Sequence, residues 1–296
     1  ILDGGSGNDN LTSRSLSGNH TLIGSYGSDT LTATGQIVNL DGGEGNDNLR
    51  AYGYIDKEGS RSYLEEGEAT LKGGEGADRI DVQSYFKVDI DGGANNDDID
   101  INYSGDSIVK GDDGNDNIRS GYGLNNELYG GLGDDTIYIY GYISIGWNES
   151  NHILNKNNNG ILDEISINYI DGGEGDDHLT FYGEYTRTSY GRVETEIDGG
   201  AGDDIIKVTD NYAGSTSNSN GNQYGIAKVT IDSGEGDDEI TVSGGLDISI
   251  TTGGGSDVIS LTAKQYRTIV EGARNIKNDN GSSEVVDVKP IYITDF

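Results

Sequence analysis

Aliphatic and polar residues alternate over short runs along most of the chain, as in Ile99-Asp100-Ile101 and Ile240-Thr241-Val242. A period of two predicts β-strands with one buried face. Between the runs lies a recurring glycine-rich stretch. Residues Leu2 to Leu11 read LDGGSGNDNL, and the pattern returns as LIGSYGSDTL, LDGGEGNDNL, LKGGEGADRI, IDGGANNDDI, VKGDDGNDNI, LYGGLGDDTI, IDGGEGDDHL, IDGGAGDDII, IDSGEGDDEI and ITTGGGSDVI, ending at Ile259. Each of the eleven copies has an aliphatic residue, a spacer, a glycine-rich four, a spacer, an Asp, a spacer and a Leu or Ile. Repetition on this scale is the mark of a stacked architecture.

Successive motif Asp residues are separated by 20, 18, 31, 19, 19, 19, 42, 27, 34 and 19 positions. About 19 residues accommodate two short strands and two turns, which is one coil of a parallel β-solenoid with the motif at a single turn. Coils stacked about 4.8 Å apart would align the motifs along one edge. The fold class expected is therefore all-β, a parallel β-roll or solenoid of about eleven coils over residues 1–259. Four intervals exceed one coil and mark insertions near 50–70, 138–169, 180–196 and 207–230.

Glycine at the first, second and fourth positions of the glycine-rich four permits positive φ, so that the chain reverses tightly and its carbonyls converge beside the Asp. An all-oxygen set without imidazole or thiolate suits Ca²⁺, a hard cation that takes six to eight oxygens. The candidate carboxylate ligands are Asp9, Asp29, Asp47, Asp78, Asp97, Asp116, Asp135, Asp177, Asp204, Asp238 and Asp257. The candidate carbonyls come from Gly4, Gly5 and Gly7; Gly24, Ser25 and Gly27; Gly42, Gly43 and Gly45; Gly73, Gly74 and Gly76; Gly92, Gly93 and Asn95; and Gly111, Asp112 and Gly114. The later copies add Gly130, Gly131 and Gly133; Gly172, Gly173 and Gly175; Gly199, Gly200 and Gly202; Ser233, Gly234 and Gly236; and Thr252, Gly253 and Gly255. Ser25, Asn95, Asp112, Ser233 and Thr252 replace glycine, which carbonyl ligation tolerates. One ion between each consecutive pair of turns gives up to about ten sites.

These copies match the nonapeptide GGxGxDxUx, and the chain resembles the RTX, or repeats-in-toxin, family from residue 2 to residue 259. The resemblance implies a right-handed parallel β-roll with Ca²⁺ between neighbouring turns, held by glycine-rich carbonyls and the motif Asp. It also implies type I export from a Gram-negative bacterium, with folding in extracellular calcium. Family blocks commonly repeat every nine residues and bind calcium on both edges. The longer interval here predicts calcium along one edge and an irregular opposite edge.

Charge and composition sharpen this picture. The chain has 296 residues, 52 acidic against 19 basic side chains and a formal charge of −33. Leu, Ile, Val and Phe make up roughly 22%, close to the ~20% below which a highly charged chain stays disordered. Metal-free, such a chain is expected not to fold, whereas ten Ca²⁺ would bring −33 to −13. The charge argues against nucleic-acid partners, and no run approaches the ~18 apolar residues of a spanning helix. With no Cys, disulfides and thiolate sites are excluded. Neither HExxH nor GxSxG occurs, and no catalytic residue or organic cofactor is expected. Ile1, the lack of Met and the lack of a leader suggest a monomeric fragment of a longer exported protein, an adhesin or toxin, secreted or at the cell surface.

The insertions hold 12 of the 19 Tyr and the only Trp. Tyr138, Tyr140 and Tyr142 alternate with Ile137 and Ile139, and they are expected on the solvent face with Tyr52, Tyr54 and Tyr182. They could dock a glycan or another cell-surface ligand, or simply pair across strands. Asn155 to Ser166 echoes an EF-hand loop but has Asn as its first donors and Ser166 at the twelfth position, which favours an asparagine-rich hairpin. His20, His152 and His178 are scattered and read as surface or turn residues. Residues 260–296 carry five basic and five acidic side chains and the only proline, Pro290. Leu261, Ile269, Val270, Ile276, Val285, Val286, Val288 and Ile291 could cap the last coil. Ile293 to Phe296 resembles a segment that often follows RTX blocks.

Overall fold

In the computed structural model, the described residues are 1–15, 17–57, 60–63, 67–121, 123, 125–143, 165–185, 192–210, 227–243, 247–261, 267–271 and 275–278. All regular elements among them are strands, so the fold is all-β. One coil shows the logic. Glu68–Glu75 runs into a turn at 76–78, Arg79–Gln83 runs out of it, and a second turn at 84–86 leads into Lys87–Ala94, where the pattern restarts. Within each strand, exposed and buried residues alternate, as the period of two requires.

Two parallel sets of strands result, twelve strands in each. The leading set enters the motif turns and the trailing set leaves them. The chain divides into two compact units, residues 1–132 with 146–153, and residues 133–145 with 154–296. In the first unit the leading strands are Leu2–Ser6, Asn19–Tyr26, Ile37–Glu44, Glu68–Glu75, Lys87–Ala94, Asp106–Asp113 and Asn125–Leu132. The trailing strands are Asn10–Arg14, Thr30–Thr34, Asn48–Tyr52, Arg79–Gln83, Asp98–Asn102 and Asn117–Gly121. In the second unit Ile165–Glu174, Arg192–Ala201, Ala227–Asp232, Asp247–Thr251 and Arg267–Glu271 form the leading set. Thr136–Ile143, His178–Tyr185, Ile205–Asp210, Glu239–Ser243, Val258–Leu261 and Asn275–Asn278 form the trailing set.

The register places equivalent residues of consecutive coils side by side. In the first unit Leu22, Leu40, Leu71, Ile90, Val109 and Leu128 form one buried column. Leu31, Leu49, Ile80, Ile99 and Ile118 form another on the trailing set. In the second unit Ile170, Ile197, Ile231 and Ile250 pair with the same regularity, as do Ile137, Leu179, Ile206, Ile240 and Ile259. A fully buried aliphatic side chain contributes roughly 1.5–3 kcal/mol, and a one-residue slip would turn a whole column outward, so these rows fix the register. The motif turns are in register for the same reason.

The insertion near 50–70 leaves at Gly53 and returns at Gly67. Gly53 donates to the Gln83 carbonyl and Phe86 donates to the Gly67 carbonyl, so the coil continues as though the insert were absent. The inserted strands Tyr54–Lys57 and Ser60–Tyr63 form an antiparallel hairpin. Opposite the motif edge the first unit is more regular than its sequence suggests. Ser84 and Tyr103 take positive φ of 66° and 55°. Their amides donate to Asn102 and Gly121, and Gly105 and Asp106 donate to Tyr85 and Phe86. Tyr85 is wholly buried there, and its hydroxyl donates to the Gly35 carbonyl at 3.1 Å. From residue 260 onward the strands Arg267–Glu271 and Asn275–Asn278 add to the two sets. The side chains of that tail, Pro290 and Ile293 to Phe296 lie outside the described residues.

Candidate metal centre

The three glycine positions turn out to do different work. The second and fourth take positive φ, as at Gly43 (104°) and Gly45 (126°). Where glycine is replaced at these positions, the substitutes are Ser25, Asn95 and Asp112, with φ of 81°, 76° and 73°. Asn and Asp are among the residues that tolerate this region best. The first position, expected to need positive φ as well, does not. It is glycine because of close approach: a Cβ on Gly42 would collide with Asp47 Oδ2 and with the Gly73 carbonyl of the next coil. The same holds at Gly24, Gly73, Gly92, Gly111, Gly172 and Gly199, each against its own motif Asp and the next coil's first-position carbonyl.

Those collisions locate the centre. At seven turns one carboxylate oxygen and one carbonyl oxygen from adjacent coils converge over a bare α-carbon. The carbonyls of the second and fourth positions lie against the following coil, as Gly43 O does beside Gly74 and Gly45 O beside Gly76. The structure thus brings the motif Asp and the first-position carbonyls together, and stacks the other two carbonyl rows along the same edge.

The motif Asp side chains form a ladder. Each Oδ1 accepts the amide of the preceding coil's Asp: Asp9 N–H to Asp29 at 2.7 Å, Asp29 to Asp47 at 2.7 Å, Asp47 to Asp78 at 2.7 Å, Asp78 to Asp97 at 2.8 Å and Asp97 to Asp116 at 2.7 Å. In the second unit Asp135, Asp177, Asp204 and Asp238 donate to Asp177, Asp204, Asp238 and Asp257 at 2.7, 2.8, 2.9 and 3.2 Å. From Asp29 to Asp257 these residues are at most 3% exposed. Oδ2 of Asp9, Asp29, Asp47, Asp78, Asp97, Asp177, Asp204 and Asp238 is buried without a hydrogen-bond partner. A column of buried, unpartnered carboxylate oxygens facing carbonyls has only acceptors, and acceptors facing acceptors need a cation.

Electrostatics agree. Burial, more than the neighbouring carboxylates, pushes Asp97 up to about 8, with the charges of Asp116 and Asp78 adding to it. Burial likewise raises Asp78, Asp177 and Asp204 to about 7, although the amide each accepts partly offsets it. Asp47, Asp116 and Asp238 are raised for the same first reason. The donor set is one carboxylate with main-chain carbonyls. Accordingly, no group of three or more His, Cys, Asp or Glu side chains gathers at a point among the described residues. Hard oxygens of this kind fit Ca²⁺ and suit neither Zn²⁺ nor copper.

The model of the RTX calcium-binding nonapeptide repeat matches residues 1–14, 22–53, 120–138, 166–181 and 196–207. This chain carries an RTX calcium-binding repeat block. No curated protein and no solved structure matches it. The RTX block is therefore a calcium-binding module built on a parallel β-solenoid, and no helix among its described residues is long and apolar enough to cross a membrane.

The RTX block also has a second ladder that the motif reading missed. The spacer immediately before each Asp accepts the amide of the next coil's spacer: Ser28 N–H to Asn8 at 3.0 Å, Ala77 to Asn46 at 3.1 Å, Asn115 to Asn96 at 3.0 Å, Asp203 to Asp176 at 2.8 Å and Asp237 to Asp203 at 2.8 Å. It runs opposite to the Asp ladder. Its sequence signal was visible, since the spacer is Asn, Ser or Asp in every copy but one, which has Ala77.

Tyr140 and Tyr182 are neighbours in register and stack at 5.0 Å between centroids, the cross-strand pairing weighed above. Tyr138 is half-buried beside them. The side chains of Tyr54 and Tyr142, all of His152 and most of the Asn155–Ser166 loop lie outside the described residues. His20 is a structural residue: Nδ1 lies 2.6 Å from the Ser13 hydroxyl and Nε2 lies 3.3 Å from the Ser15 carbonyl.

Proposed function

We propose that this RTX block is a calcium-triggered folding module of a large exported adhesin or toxin, unfolded where calcium is scarce and folded outside the cell. The supporting observation is the column of buried Oδ2 atoms without partners. The proposed ligands are the motif Asp residues and the glycine-rich carbonyls named above. Bound between coils, Ca²⁺ supplies the positive charge that these acceptors lack. The chain does the rest. Each motif Asp holds the preceding coil's amide with Oδ1, so an ordered coil presents the next one with a formed half-site, and folding spreads by nearest-neighbour contact. The aliphatic columns are thin, two rows per sheet, and do not by themselves offset both chain entropy and the burial of carboxylates. Calcium outside and not inside the cell would then bias translocation outward and set the shape of the exported protein. The role is structural and not catalytic.

Far-UV circular dichroism during calcium titration tests this. The expected result is a cooperative gain of β signal that a chelator reverses. A chain equally folded in excess chelator at neutral pH would refute the proposal.

A further inference from the structure

The spacer immediately before the motif Asp is neutral throughout the first unit and acidic through most of the second. In the first unit it is Asn8, Ser28, Asn46, Ala77, Asn96 and Asn115. In the second it is Asp134, Asp176, Asp203 and Asp237, followed by Ser256. All four Asp side chains are exposed. Each accepts the amide of the next coil's spacer, at 3.1 Å from Asp176, 2.8 Å from Asp203, 2.8 Å from Asp237 and 2.7 Å from Ser256. Asn8, Asn46 and Asn96 accept the same bond at 3.0, 3.1 and 3.0 Å. The ladder therefore does not require a carboxylate, and the negative charge of the second unit's spacers is surplus to it.

A second column on the same edge follows suit. The residue before the first glycine position runs Asp41, Lys72, Asp91 and Lys110 in register through the first unit, so that opposite charges alternate from coil to coil. In the second unit Asp171, Asp198 and Asp232 stand in register with no Lys or Arg among them. The third residue of the glycine-rich four does not divide the units in this way, with Glu44, Glu75 and Asp113 in the first and Glu174 and Glu235 in the second.

The spacer carboxylates do not gather into a site of their own. They border the turns already described, each one place along the chain from Asp135, Asp177, Asp204 or Asp238. An ion and its motif Asp leave one positive charge per turn, so a loaded row with neutral spacers repels itself, whereas a spacer Asp cancels that charge. In water at physiological salt, a unit charge ~7 Å from a divalent ion changes its binding constant about twofold. An ion that bridges two coils has a spacer from each, which makes the effect about fourfold.

We propose that the spacer Asp residues set the calcium affinity of the second unit's turns by charge and not by ligation, so that these turns load at lower calcium than they would with the first unit's Asn. The inference rests on the calcium reading above and deepens it by naming residues that tune the ions without touching them.

Hydrogen exchange followed by mass spectrometry during calcium titration of the full chain tests it. With Asp176→Asn, Asp203→Asn and Asp237→Asn together, the calcium midpoint for protection of Arg192–Ala201 and Ile205–Asp210 is expected to rise about twofold to fourfold at about 0.15 M salt. At about 1 M salt, where the screening length falls to about 3 Å, variant and parent are expected to coincide. The reverse exchange, Asn96→Asp with Asn115→Asp, is expected to lower the midpoint for Asp98–Asn102 and Asp106–Asp113 by a similar factor. An unmoved midpoint would overturn the proposal, and so would a shift that survives high salt, which would mark the spacer carboxylate as a ligand or Asn as a poorer rung. Protection in the parent chain that ignores calcium would instead overturn the calcium reading itself, a separate result. Should the triple variant fail to fold at any calcium concentration, the reverse exchange decides alone.

Discussion

Replacing Asp97 with Asn should change the sign of its effect with calcium. The amide has the shape of the carboxylate, and its Oδ1 can keep the 2.8 Å bond from the Asp78 amide. The other oxygen becomes an NH₂ aimed at the gap shared with the Gly111 carbonyl, so a donor faces an acceptor. Without calcium, the wild-type carboxylate is a liability. Burial raises it from 3.8 to about 8, so the folded state binds a proton that the unfolded state has lost throughout that window. At about pH 8 this disfavours the metal-free fold by on the order of 5 kcal/mol, and Asp97→Asn removes the penalty. In calcium the balance reverses, because the substitution deletes a ligand. At free calcium a hundredfold above the site's dissociation constant, one lost ion costs about 2.7 kcal/mol. Urea melts followed by circular dichroism give the calcium arm, and osmolyte-induced folding in chelator gives the other. The variant should melt earlier in calcium and fold at lower osmolyte without it. A variant weaker in both conditions, or unchanged in calcium, would show that Asp97 is an ordinary structural acceptor.

Acid should partly stand in for calcium. Asp78, Asp177 and Asp204 lie near 7 in the metal-free fold against 3.8 in a free chain, so metal-free stability falls as pH rises through that window and recovers on acidification. In chelator, β signal should grow between about pH 8 and about pH 5, and a flat profile would count against buried carboxylates as the cause. Ala77→Asn should restore the missing rung of the spacer ladder by giving the Asn96 amide an acceptor. A gain of about 1 kcal/mol in calcium is expected in urea melts, and no gain would mean that solvent already serves that amide equally well.

Much of the architecture was legible because a solenoid repeats one local decision. The alternation around Ile99 and Ile240 fixed strands and the buried face, and the common interval of 19 fixed the coil. The invariant Asp, with oxygen-bearing neighbours and no imidazole or thiolate, named the kind of ion before any geometry was known. Tertiary structure decided what depends on the approach of one coil to the next. First-position glycines serve close contact and not positive φ, because the constraint comes from the coil's own motif Asp together with a carbonyl oxygen of the next coil, which sequence distance alone does not bring near. The regular edge around Ser84 and Tyr103 and the Tyr140–Tyr182 stack arise from pairing in register, which no single coil encodes. Sequence alone could count Ser233 as one more tolerated substitution; only stacking shows its buried hydroxyl donating to the Thr252 carbonyl of the next coil.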